Sequence, residues 1–108
     1  MHHRNLLIWR MIQMQMDDLK LVGRTHFRKS NTEDKGWQWF WATMTADEVD
    51  TVGVGGEGYD NLQDAINGFL SQQGIPDWQQ GESLPATYRL EKIDEHHHVI
   101  FKFAKTQK

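Results

Sequence analysis

Between Lys20 and Lys29 the side chains alternate, with Leu21, Gly23, Thr25 and Phe27 on one side and Val22, Arg24, His26 and Arg28 on the other. That period of two is the pattern of a half-buried strand, and it aims Phe27 at a core. The polar run SNTEDKG, residues 30–36, is rich in turn formers and predicts that the next strand returns antiparallel beside the first. In this second strand, WQWFWATMT, Trp37, Trp39, Trp41 and Thr43 share one face, and Gln38, Phe40, Ala42 and Met44 share the other. Both faces are apolar. A strand of that kind is either covered on both sides or meets a partner with one of them.

TADE then turns the chain, and VDTVGVG reads as a short third strand. The glycines at 53, 55, 56 and 58 predict a fraying end, a bulge or the turn into a helix. From residue 60 the period changes to that of a helix. Leu62, Ala65, Ile66, Phe69 and Leu70 form one stripe, Asp60 and Gln63 have the spacing of a capping box, and Gly74 with Pro76 marks the stop, so a helix is expected over 60–73. IPDWQQGESLP reads as a loop with Trp78 as its anchor, and ATYRLEKID with HHVIFKFAK reads as a terminal hairpin. The expected fold is α+β: an antiparallel sheet of about five strands, in chain order βββαββ, packed on one main helix.

Residues 1–19 form a separate N-terminal segment ahead of a single domain over 20–108. In it Ile8, Ile12, Met16 and Leu19 fit a helical stripe, whereas Ile12, Met14 and Met16 alternate with glutamines as a strand would. Helix is the favoured reading, with a mobile leader as the alternative. Arg10 interrupts the apolar centre and no small-residue cleavage site follows, which argues against a signal peptide. With 108 residues, no cysteine and no apolar run of about 20 residues, the sequence is that of one cytoplasmic domain without disulfides, thiolate metal sites or a membrane span.

Charge is segregated along the chain. Residues 37–83 hold eight acids and no Lys or Arg. Glu57, Asp60 and Asp64 among them make an acidic surface suited to a basic protein partner and unsuited to nucleic acid. The opposite chemistry gathers in the first strand, where Arg24, His26, Arg28 and Lys29 lie near aromatic residues, the combination with which a sheet stacks single-stranded bases.

The core stretch resembles the YegP-like family of small ββ(β)α units, a family of unassigned biochemical role. The resemblance is carried by Phe27, by Gly36-Trp37-Gln38-Trp39-Phe40-Trp41-Ala42, by Gly56-Glu57-Gly58-Tyr59 and by Ala65, Ile66 and Asn67-Gly68. It implies an aromatic strand whose Trp37, Trp39 and Trp41 face the helix while Phe40, Ala42 and Met44 face away. It also implies a unit that is duplicated in tandem or paired as a homodimer. Two features depart from the family: the turn TADEVD is longer than its tight turn, and the C-terminal half lacks a second helix.

No stretch carries a catalytic or cofactor motif. The glycine run ahead of the helix lacks the Lys-Ser or Lys-Thr of a phosphate loop, and Glu57 and Asp60 would repel a phosphate there. His96 and His98 share one face of a strand and are the only weak candidates for a metal, with no third ligand to join them. Serines, histidines and acids are present without the spacing that sets a nucleophile beside a base. The reading is therefore a non-catalytic protein-interaction module without cofactor or metal, homodimeric, modulating or inhibiting a partner protein. Phe40, Ala42, Met44 and Trp78 are its interface residues, with nucleic-acid binding as the alternative and a small enzyme a distant third.

Overall fold

The computed structural model describes residues 18–106. The reading of residues 1–17 as helix or leader lies outside the described residues. Five antiparallel strands, β1 (Leu19–Thr32), β2 (Gly36–Thr45), β3 (Thr51–Val54), β4 (Tyr88–Asp94) and β5 (His97–Lys105), form one sheet in the order β3-β2-β1-β5-β4. The helix α1 (Leu62–Gln72) crosses one face. The mixed α+β reading therefore holds. The longest strand, β1, occupies the centre, and Leu19 pairs with Lys105 in the sheet rather than extending a helical stripe.

Strand parity sorts the side chains as alternation predicts. Phe27, Trp39, Trp41 and Ile100 project to the helical face, where they meet Ala65, Ile66, Phe69 and Leu70. Phe69 is the keystone, its ring edge-to-face with Phe27 at 5.9 Å and with Trp41 at 5.5 Å. Trp37 shares the parity of the other two tryptophans yet is 54 % exposed, because β2 outruns the helix at that end; its indole stacks on His96 instead.

The helix starts one residue later than its capping-box spacing predicts. Asn61, with extended backbone, is the N-cap, and its side-chain oxygen accepts from the Asp64 backbone N–H at 2.8 Å. Asp60 instead accepts a hydrogen bond from Gln38 Nε2 at 3.0 Å and ties the helix entry to β2. At the other end the chain reverses through Gly74, whose φ of +76° suits glycine, and the Ile75 N–H returns to the Leu70 carbonyl at 3.0 Å.

Trp78 is buried at 7 % exposure, with its indole N–H donating to the Glu82 carbonyl at 3.0 Å and its backbone N–H to Asn67 Oδ1 at 2.9 Å. Little of the ring is therefore left to the partner interface expected of it. Gln63 also donates to its carbonyl, so the loop anchor is pinned to α1 through side chains that the helix presents.

The glycine run is an irregular continuation of the β3 edge. The Gly55 N–H bonds to the Trp41 carbonyl, and Tyr59 bridges Trp39, so the chain bulges out over Gly56-Glu57-Gly58 and rejoins β2. Gly55 lies over the Trp41 indole so closely that a Cβ there would stand 2.6 Å from Nε1. The same crowding leaves the buried Trp41 N–H without a hydrogen-bond partner among the described residues.

Candidate functional site

The face of the sheet opposite α1 is crossed by no described helix or strand, and the 56–60 bulge closes over its Gln38 end, where a Cβ at Gly58 would stand 2.9 Å from Phe40 Cζ. Register brings the residues of that face together in rows: Arg24 beside Met44 and Phe101, His26 beside Ala42 and Val99, and Arg28 beside Phe40 and His97. Phe40, Ala42, Met44 and the exposed Val54 form the floor of a groove of about 930 Å³, with His26, Arg28, Ser30, Thr32, Glu48 and His97 around it. Two residue sets that the sequence separates, the apolar Phe40, Ala42 and Met44 and the basic Arg24, His26 and Arg28, thus share one surface. Lys29 has the opposite parity, pairs with Trp39 and falls on the helical side.

Three residues in this face form a chain that the sequence does not announce. The Glu48 carboxylate lies 2.6 Å from His26 Nε2, and His26 Nδ1 lies 2.8 Å from His97 Nε2, with the two imidazoles stacked at 5.0 Å. Arg24 Nη1 holds the other Glu48 oxygen at 3.4 Å. Glu48 reaches this position from the β2–β3 turn with a φ of +62°, a left-handed conformation that a residue with a side chain seldom adopts. The turn itself is built by Asp47, whose carboxylate accepts from the Thr45 hydroxyl and the Val49 N–H; these bonds hold Asp47 below the usual carboxylate range.

Electrostatics follow from these contacts. The hydrogen bond from His26 holds the Glu48 carboxyl below its ordinary value, with partial burial opposing and the charges of His26 and Arg24 assisting. Burial pushes His97 below the usual imidazole value, Arg28 and His26 add to the effect, and Asp94 opposes it. His98, on the opposite side of β5 against the Trp39 ring, is also lowered by burial and by Lys92, against Asp94 and Glu95.

With Glu48 ionised, His26 Nε2 carries the proton it donates. The contact between His26 Nδ1 and His97 Nε2 then holds one proton shared by two nitrogens. The chain accepts one further proton without losing either hydrogen bond, at His97 Nδ1, whereas full protonation of both rings breaks the imidazole–imidazole bond. Among the described residues no hydroxyl is hydrogen-bonded to either ring, and no group of three His, Asp or Glu residues is arranged to hold a metal ion. His96 and His98, the metal candidates, are separated, one stacked on Trp37 and the other set against Trp39.

The rest of the face is cationic and aromatic. Arg24 lies over the Phe101 ring at 5.6 Å, and Arg89 lies over Phe101 at 5.3 Å and Phe103 at 5.5 Å. Arg24 is engaged by Glu48 and Arg89 is paired with Glu91 at 3.1 Å, whereas Arg28 has no acid partner among the described residues. Of the acidic residues Glu57, Asp60 and Asp64, Asp60 borders this face at its Gln38 end. Asp60 and Asp64 serve the helix entry and Glu57 stands exposed on the bulge. Parity alone locates Arg24, His26 and Arg28 on one face. Glu48 and His97 lie 22 and 71 residues from His26, and only the strand register brings them together.

No family model matches the chain, and neither a curated protein nor a solved structure matches it.

Proposed function

We propose that the protein is a homodimeric interaction module, and that two copies pack through their open sheet faces as an aligned sandwich with the helices outermost. One observation carries this reading: a sheet covered by a helix on one side and carrying Ala42, Met44 and Val54, with Phe40 at the edge of the 56–60 bulge, under no described helix or strand on the other.

The dimensions suit it. Four inter-strand spacings of about 4.8 Å and nine residues of about 3.4 Å give a face of roughly 19 by 30 Å, about 600 Å² before side-chain relief is added. A standard stable interface buries about 800 Å² per partner. A two-fold axis along β1 lays β2 of one copy over β5 of the other. Met44 then meets Phe101, Ala42 meets Val99 and Phe40 meets His97, while Glu48 on the β3 side approaches the Arg89 side. Apolar strip thus opposes aromatic strip and Glu48 approaches Arg89, while the same axis sets Arg24, held by Glu48, and Arg28 opposite their own copies.

The YegP-like resemblance of the core stretch is consistent with this pairing and is retained as part of the proposal, as is a cytoplasmic location. Modulation of another protein would operate through the same face. Peptide-resolved oxidation tests the surface directly. Met44 should be oxidised by dilute peroxide more slowly as the protein is raised from about 1 µM to about 100 µM, by mass action on the dimer. A Met44 rate independent of concentration would refute the proposal.

A further inference from the structure

Resting on the dimer reading, we infer that the Glu48–His26–His97 chain makes association through this face dependent on pH, with dimers at neutral pH that dissociate as the imidazoles take up protons. The two-fold axis along β1 sets His26 of one copy opposite His26 of the other and lays His97 over Phe40 of the partner. The chain therefore sits at the centre of the buried surface.

Glu48 is held by Arg24, and the ring nitrogens of His26 and His97 satisfy each other at 2.8 Å, so these polar groups enter the contact already paired. Acid changes each of these terms. One proton per chain leaves a cation beside a dry apolar strip, and a second breaks the His26–His97 bond. The other groups facing the pair do not compensate. Arg24 and Arg28 on β1 add positive charge, Glu48 is already engaged twice, Glu91 in the row of Val99 and His26 is paired with Arg89, His98 lies on the far side of β5, and Asp94 is the acid nearest His97. Across the axis the like charges of the two copies then oppose each other in a water-poor layer.

The magnitude follows from linkage. If each monomer must release one proton to associate, Kd rises about 100-fold for each unit of pH below the value at which His97 takes up its proton, so a continuous rise in Kd is expected as pH falls from about 7.5 to about 5.5. Sedimentation velocity of the full chain over that range reads it. His26→Gln and His97→Gln, which keep hydrogen-bonding capacity without a titrating ring, should flatten the dependence to within about threefold, whereas His96→Gln, at the exposed hairpin turn, should keep the full slope.

Circular dichroism establishes that each variant is folded, and imidazole NMR titration of the unmodified chain supplies a readout that needs no variant. In it the His26 and His97 resonances should move together with the dimer fraction. A dimer whose Kd stays constant across the range overturns the inference and leaves the dimer reading standing, as does a slope that survives in both glutamine variants or imidazole shifts that do not track dissociation. A monomer at every pH overturns the dimer reading itself.

Discussion

Replacing Gly55 with Ala puts a methyl group 2.6 Å from Trp41 Nε1, 2.8 Å from Cε2 and 2.9 Å from Cδ1. Ordinary carbon contacts begin near 3.5 Å, so ring or strand has to move by about 0.6–0.9 Å. The ring has little room to retreat, because Trp41 is 4 % exposed and its other edge meets Phe69. Overpacking of this kind costs about 1–3 kcal/mol, and the loss of glycine freedom in the unfolded chain returns about 0.4–1 kcal/mol, for a net loss of about 1–2 kcal/mol. Gly53 and Gly56 flank it closely in sequence, and a Cβ at either meets nothing within 4 Å. Gly53→Ala and Gly56→Ala should therefore lie within about 0.5 kcal/mol of the parent or slightly above it. Urea unfolding of the three variants, compared by midpoint with the slope held in common, makes the test. Equal stability of all three would refute the close approach of the β3 edge to Trp41, and with it the position of Val54 in the groove.

The remaining predictions concern the core and the histidines. Phe69→Ala removes the ring that joins Phe27 to Trp41 and should cost about 3–5 kcal/mol, read as a large fall in the urea midpoint; a loss under about 1 kcal/mol would contradict its place in the core. Because the folded chain holds His97 and His98 below their ordinary value, it binds fewer protons than the unfolded chain. Their contribution is complete above an unfolded value of about 6.5 and is lost as pH falls through the lowered folded values. Stability measured by urea should accordingly decline from pH 7 towards pH 5, and a rise over that interval would reverse the assignment.

Much of the architecture is legible in the sequence because it rests on period. The helical stripe Ala65, Ile66, Phe69 and Leu70 is buried as a set, and the parity of WQWFWATMT separates Trp39 and Trp41 from Phe40, Ala42 and Met44. Where period gives no answer, local chemistry misleads. Asp60 and Asn61 are both good caps, and the Asn61–Asp64 spacing fits as well as Asp60–Gln63; the choice is made by Gln38, a residue of another strand. Trp78 reads as the anchor of its polar loop, and the partners that bury it, Glu82 and Asn67, are found only in the structure. Trp37 is exposed for a reason no alternation pattern carries, since α1 does not reach that end of β2. The Glu48–His26–His97 chain is the deepest case. Its members come from a turn and two strands, and the left-handed Glu48 is chosen by the turn that Thr45 and Asp47 build.

The open face is the centre of this account, and its self-association is the quantity to measure. Ala42 lies mid-strand in that face, between His26 and Val54 in register and away from the helical core, so Ala42→Glu adds bulk and charge to the interface while leaving the monomer's packing intact. Sedimentation velocity at neutral pH and tens of micromolar, roughly the range in which a standard-sized interface is populated, should give a dimer for the parent chain and a folded monomer for Ala42→Glu. A monomeric parent, or a dimer that survives the substitution, would contradict the account.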